Sequence, residues 1–205
     1  MKTLKHHEFV SIGSHSATHR IILLHGWGAD ADDLIPLGQS ITQGLSHKFN
    51  IVSLRAPMKR PNGLGRQWYG LFPPNWNEAE MEVKRLVYTL KELSQIKIDQ
   101  EKTILLGFSQ GAAMAIDAGS NLNLGLIISC SGYPHPNFQP NNNTSPILIS
   151  HCLQDDIVPP SSSKEIFRIL KENSNIDCSL YEFDGLHQIH KDFIEIIRTR
   201  IREMF

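Results

Sequence analysis

Lys102-Thr103-Ile104-Leu105-Leu106-Gly107-Phe108-Ser109-Gln110-Gly111-Ala112-Ala113-Met114-Ala115-Ile116 is the stretch whose reading decides the fold. Residues 103–106 are a short apolar run of the kind that fills a strand buried on both faces. Gly107 to Gly111 match G-x-S-x-G, in which a serine on a sharp strand-to-helix turn projects its hydroxyl above a sheet, and the flanking glycines let strand and helix pack closely. The motif alone is a weak signal. A strand running straight into it and a helix running straight out supply the context it requires.

Outward from this unit the same rhythm repeats. Apolar runs at 20–24, 50–54, 103–106, 124–129, 147–150 and 179–183 alternate with segments of helical period, the pattern of a parallel sheet covered on both faces. Residues 8–12 read as an edge strand. Residues 78–93 carry Met81, Val83, Leu86, Val87, Leu90 and Leu93 near the i, i+3, i+4 spacing of an amphipathic crossover helix. Residues 110–118 are apolar on nearly all sides, as a helix buried against the sheet must be, whereas 162–172 and 190–204 read as half-exposed helices. Segments 57–74 and 133–146 are rich in turn residues and read as loops. The fold class is therefore α/β with a mostly parallel central sheet, and residues 1–205 are expected to form one domain with no lid-sized insertion.

Size and composition bound the function. The chain has 205 residues, 40% hydrophobic and 20% charged, ordinary usage for a soluble compact domain. Lys plus Arg number 20 against 21 Asp plus Glu, so no net field favours nucleic acid or an anionic membrane surface. No run approaches the ~18 apolar residues of a membrane span. Residues 1–10 lack an apolar signal region. Cys130, Cys152 and Cys178 are odd in number and sit in apolar runs, which suits reduced buried thiols. The expectation is a cytoplasmic protein without stable membrane insertion.

A serine hydroxyl becomes an effective nucleophile when a histidine takes its proton and a carboxylate orients that histidine. In the strand-turn-helix setting the chain order is Ser, then Asp or Glu, then His. The run at 147–150 leads into His151-Cys152-Leu153-Gln154-Asp155-Asp156, so one aspartate of that pair is the candidate acid. The run at 179–183 leads into Asp184-Gly185-Leu186-His187-Gln188-Ile189-His190. His190 opens the following helix, whereas His187 lies in the loop and is the favoured base. Two backbone N–H groups must face the developing oxyanion. Gln110, after the serine, offers one, and Trp27 in His25-Gly26-Trp27-Gly28 offers the other. A metal reading of His187 and His190 lacks H-E-x-x-H or paired-cysteine spacing, so neither metal nor cofactor is expected. His6, His7, His15, His19, His47 and His135 read as solvated surface residues.

Taken together, Leu24-His25-Gly26-Trp27-Gly28-Ala29-Asp30, Gly107-Phe108-Ser109-Gln110-Gly111-Ala112, His151-x-x-x-Asp155-x-x-Val158-Pro159 and Gly185-Leu186-His187 resemble the phospholipase/carboxylesterase family of the α/β-hydrolase superfamily. That family includes bacterial carboxylesterases and acyl-protein thioesterases, and the resemblance spans roughly residues 20–200. Arg55-Ala56-Pro57 and Gln67-Trp68-Tyr69 are similar to its substrate-side loop. The resemblance implies Ser109 as nucleophile, Asp155 rather than Asp156 as acid, His187 as base and the Trp27 and Gln110 amides as oxyanion donors. It departs from the family at Gly70, where aspartate is usual, at Cys152, where many members have glycine, and in the spacing around Gly185 and His187.

Leu64, Trp68, Leu71, Phe72 and Val158 are apolar and lie in loops at the strand ends that bear the chemistry, so they are the expected acyl-pocket lining. An open cleft suits short to medium acyl chains. The leading expectation is a carboxylic ester hydrolase working on a small-molecule ester. An acyl-protein or acyl-carrier thioesterase or a lysophospholipase is the alternative, and a non-catalytic hydrolase-like binding module is the alternative of another class. By resemblance, the expected state is monomer or homodimer.

Overall fold

The computed structural model describes residues 2–61, 63–172 and 176–205; Asn62, within the expected 57–74 loop, lies outside them. In chain order the elements are β1 (Lys2–Thr3), β2 (Glu8–Gly13), β3 (His19–Leu24), α1 (Ile35–Thr42), β4 (Phe49–Leu54), β5 (Met58–Lys59), β6 (Arg66–Gln67), α2 (Trp76–Ser94), β7 (Thr103–Phe108), α3 (Gln110–Gly119), β8 (Leu126–Cys130), β9 (Ile147–Cys152), α4 (Ser161–Glu172), β10 (Cys178–Phe183) and α5 (Lys191–Met204). An eight-stranded sheet runs in the order β1-β2-β4-β3-β7-β8-β9-β10. β1 with β2 and β2 with β4 are antiparallel, and every pairing from β4 to β10 is parallel.

Alternation along the strands divides the core between the two faces, because successive Cβ atoms of a strand point to opposite sides. Ile22, Leu24, Val52, Leu54, Leu105 and Ile127 pack on one face with Leu86 and Leu90 of α2, Met114 of α3 and Ile166 of α4. Ile21, Leu23, Ile51, Ile104, Leu106 and Ile128 pack on the other with Ile41 of α1 and Phe193, Ile197 and Ile201 of α5. All of β3 is buried, which is why Ile21 to Leu24 form a continuous apolar run rather than an alternating one. This is the α/β-hydrolase architecture.

The sheet order also locates a crevice. From β3 the chain moves outward to β4 and then crosses back to β7 on the other side of β3. Such a reversal leaves an opening at the carboxyl ends of the two strands, where open α/β sheets bind ligands. The His25 turn follows β3 and Ser109 follows β7, so the two motifs flank this opening.

Four expectations are corrected. Strand β2 is not the sheet edge, because Lys2–Thr3 pairs outside it. The 57–74 segment is not wholly loop, since β5 and β6 form a small ribbon within it. Met81 leaves the buried stripe of α2 and is half-exposed, while Ala79 takes its place beside Val83, Leu86, Leu90 and Leu93. His7, His19 and His135 are buried rather than solvated. His7 Nδ1 is 2.8 Å from the Thr89 hydroxyl, and His135 joins a hydrogen-bond chain described below. Helix α1 was not anticipated: its start carries Pro36 in the first turn, where the missing N–H costs nothing.

Candidate active site

Ser109 occupies the turn between β7 and α3 with φ 53° and ψ −117°. A side-chain-bearing residue enters that region only under constraint, at about 1–3 kcal/mol. The constraint is visible in the packing. A Cβ on Gly107 would overlap the Gly111 carbonyl oxygen, and one on Gly111 would overlap the Leu24 and His25 carbonyls. Strand, helix and the neighbouring β3 turn can therefore close on one another only with glycine at both positions. The Ser109 N–H donates to the Cys130 carbonyl at 2.9 Å, tying the turn to the end of β8.

The His25 turn lies against this serine: a Cβ on Gly26 would stand 3.4 Å from Ser109 Cβ. His25 is fully buried. Its Nδ1–H donates to the Gly26 carbonyl at 2.8 Å, while Nε2 accepts the Ala56 N–H at 3.1 Å. Burial pushes its pKa down, which favours the neutral ring this pattern needs. The Trp68 indole N–H donates to the His25 carbonyl at 2.9 Å. Asp30, just beyond the turn, receives Nε and Nη2 of Arg55 at 2.8 Å each. Among the described residues no carbonyl or side chain accepts the backbone N–H of Trp27 or of Gln110. Both remain available, Gln110 next to Ser109 in the chain and Trp27 next to Gly26, which packs against Ser109.

Asp155 and His187 come together across two loops. His187 Nδ1–H donates to Asp155 Oδ2 at 2.7 Å. Asp155 Oδ1 accepts the Ile157 and Val158 N–H groups at 3.0 and 2.9 Å. Burial pushes the Asp155 carboxyl up, but the hydrogen bonds from His187, Val158 and Ile157 outweigh it and hold the pKa below the usual carboxylate value. Asp156 is exposed. The His187 ring packs at 4.8 Å between centroids on Phe108, the residue before Ser109, and among the described residues no hydrogen bond engages its Nε2. His190 instead caps α5, accepting the Asp192 N–H at 3.3 Å, and stacks on Phe183.

The acid and base loops are joined directly. Gln154 N–H donates to the Gly185 carbonyl at 3.0 Å, and the Gly185 N–H donates to Gln154 Oε1 at 2.6 Å. Gly185 has φ 144°, and a Cβ there would press on Gln188 and come within 3.3 Å of Cys152 Sγ. The cysteine at 152 and the glycine at 185 are thus fitted to each other. Cys130, Cys152 and Cys178 are all free and buried.

Three supporting arrangements of side chains were not anticipated from the sequence. His151 is buried, and its Nε2–H points at both the Val158 carbonyl at 2.9 Å and Asp155 Oδ2 at 3.1 Å. Its Nδ1 accepts the Ser163 hydroxyl at 2.6 Å. Asp155 therefore receives a second imidazole on the same oxygen that binds His187. The Gln110 side chain clamps the loop after β6: Oε1 accepts the Trp68 N–H at 3.0 Å, and Nε2 donates to the Tyr69 carbonyl at 2.8 Å. The same loop is held from beneath by a chain running from Asp117 through His135 Nδ1 at 2.8 Å and His135 Nε2 to the Tyr69 hydroxyl at 3.0 Å, then to Tyr133 at 2.6 Å.

The expected pocket residues separate. Leu71 and Phe72 line a cavity of about 260 Å³ beside Trp27, with Phe72 edge-on to the Trp27 ring at 5.2 Å. Val158 is buried beneath Asp155 through its amide. Leu64 is 92% exposed at the tip of the β5–β6 hairpin. Trp68 is a correction: it is fully buried and belongs to the core, where its indole supports the His25 turn from behind. Among the described residues, no group of three or more His, Cys, Asp or Glu is arranged to hold a metal ion. Among the described residues no helix is long and apolar enough to cross a membrane.

The sequence profile of the phospholipase/carboxylesterase family matches residues 5–205. The chain is 29% identical over 221 residues to acyl-protein thioesterase 1 homolog 2 of Dictyostelium discoideum, covering 92% of this chain and 96% of that one. It is 25% identical to the putative hydrolase MhqD of Bacillus subtilis, covering 89% and 92%. Among solved structures, esterase PE8 superposes with a TM-score of 0.85 at 28% identity, covering 97% and 99%. The carboxylesterase of Bacillus cereus shares the fold, with a TM-score of 0.83 at 20% identity over 98% and 96%. With the profile spanning nearly the whole chain and an esterase fold matched over 97% of it, this protein belongs to the phospholipase/carboxylesterase family and is a carboxylic ester hydrolase of the α/β-hydrolase fold.

Proposed function

We propose that the chain is a serine carboxylesterase for short to medium acyl chains, with Ser109, His187 and Asp155 as its triad. The observation that carries this reading is the 2.7 Å bond from His187 Nδ1–H to buried Asp155 Oδ2, which fixes the imidazole with Nε2 free to act as base beside Ser109. His187 Nε2 takes the Ser109 proton as Oγ attacks the acyl carbonyl. The Trp27 and Gln110 N–H groups receive the developing oxyanion, a contribution worth about 3–4 kcal/mol for each well-placed donor. His187 then returns the proton to the leaving alcohol, and water, activated by the same Nε2, cleaves the acyl-enzyme. The reaction needs no cofactor.

The named relative in Dictyostelium favours a thioesterase as the second reading, since the same site accommodates a thiolate leaving group. The buried free thiols support a reducing compartment, and we read the chain as one cytoplasmic domain acting as a monomer or homodimer. The test is hydrolysis of p-nitrophenyl esters from acetate to palmitate with matched acyl thioesters. Ser109→Ala is expected to lower kcat on the order of 10⁴–10⁶-fold. A folded Ser109→Ala protein of undiminished activity would overturn the reading, and a rate confined to thioesters would replace esterase with thioesterase.

A further inference from the structure

Arg60, on the hairpin between β5 and β6, holds its guanidinium carbon 3.6 Å over the Trp27 ring. Its donors are almost unused. Among the described residues its one side-chain hydrogen bond is from Nη1 to the Leu64 carbonyl at a long 3.4 Å, and Nε is buried without a hydrogen-bond partner. Arg20, Arg198 and Arg200 also have a buried Nε without a hydrogen-bond partner, but the other part-buried arginines engage their remaining donors or a carboxylate. Arg20 and Arg66 spread their donors over backbone carbonyls, and Arg55, Arg198 and Arg200 face carboxylates. Among the described residues, Arg60 has no carboxylate within ion-pair distance.

This cation lines the same 260 Å³ cavity as Trp27, Gln67, Leu71 and Phe72, and no acidic residue contributes to its wall. Stacking on an aromatic face fixes the guanidinium plane and leaves its edge free for a planar anion. The cavity adjoins the chemistry, because Trp27 follows Gly26, which abuts Ser109. A fixed, partly desolvated cation with spare donors is complementary to a carboxylate, where charge-assisted bonds are about twice as strong as neutral ones.

We propose that Arg60 anchors an anion subsite, so that the preferred substrate is an ester or thioester carrying a carboxylate or similar anion a few bonds from the scissile carbonyl. The proposal rests on Ser109 being the nucleophile. To test it, p-nitrophenyl hemiesters of succinate, glutarate and adipate are compared with their methyl-capped neutral counterparts. On the alcohol side, 4-carboxyphenyl acetate is compared with 4-carbamoylphenyl acetate. In at least one series the charged member is expected to show kcat/KM about tenfold or more above its neutral partner, expressed mainly in KM, the size of one charge-assisted contact. The preference should shrink at high salt, persist in part in Arg60→Lys and vanish in Arg60→Met. Equal rates for charged and neutral esters in the wild type, or a preference that survives Arg60→Met, would overturn it. If Arg60→Met does not fold, a wild-type preference insensitive to salt has the same effect. Failure of a fluorophosphonate to label Ser109 would instead defeat the nucleophile assignment and this proposal with it.

Discussion

Asp155 accepts two backbone N–H groups on one oxygen and two imidazoles on the other. Replacing it by Asn keeps the shape but offers an N–H where His187 needs an acceptor. Asp155→Asn is therefore expected to lower kcat about 10⁴-fold in steady-state ester hydrolysis with little change in KM. His151→Leu removes the donor to Val158 and Asp155 and leaves the Ser163 hydroxyl only the Gly132 carbonyl at 3.3 Å. It should cost about 1–3 kcal/mol of stability in urea titrations and lower kcat less than Asp155→Asn does. A His151→Leu enzyme with wild-type stability would show that this ring only fills space. Ser109, His187 and Trp27 could be singled out as candidates from the sequence because each belongs to a short motif whose neighbours dictate its backbone. The choice of Asp155 over Asp156 needed the family resemblance, and in the structure it follows from which aspartate the Ile157 and Val158 amides enclose. His151 was not legible as a support, since its partners are set by how the loop after β9 folds back on α4.

At the scale of elements, the turn at Ser109 depends on contact between backbones. Gly111→Val would drive a side chain into the Leu24 and His25 carbonyls, so the expected result is a loss of about 1–3 kcal/mol together with most of the activity, read by thermal denaturation and ester turnover. Gln110→Ala tests a different link. It preserves the backbone donor but strands the Trp68 N–H and Tyr69 carbonyl, so activity should fall far less than in Ser109→Ala while limited proteolysis within residues 57–74 increases. Unchanged proteolysis would mean that the loop is held without this clamp. The strands of the core were legible because burial on both faces leaves a continuous apolar signature. Helix α1 was not, being only eight residues long, interrupted by Pro36 and Gly38 and without a side-chain cap. Of the expected pocket residues Leu71 and Phe72 line a cavity, while Trp68 is buried, because a loop sequence does not reveal which aromatic, Trp68 or Phe72, turns inward.

The whole molecule carries a pH dependence that its composition does not suggest. His7 was read as solvated, yet its partner Thr89 is 82 residues away, a contact no local pattern encodes. Burial, followed by the nearby charges of His6 and Arg85, lowers its pKa to about 4. The unfolded chain, with an ordinary imidazole, then binds the proton more readily, so the stabilisation is complete above about pH 6.5 and is lost as pH falls towards 4. Urea midpoints should drop between pH 7 and pH 5 by the equivalent of about 2 kcal/mol from this residue, and His7→Phe should flatten that slope; an unaltered slope in the variant would assign it elsewhere. The central claim, that the fold converges on Ser109 as an activated nucleophile, is tested most directly by fluorophosphonate labelling of the wild-type protein with peptide mapping. The account predicts a single adduct on Ser109 that is absent from Ser109→Ala and strongly slowed in His187→Ala. No adduct on folded wild-type protein, or an adduct that persists in Ser109→Ala, would contradict it.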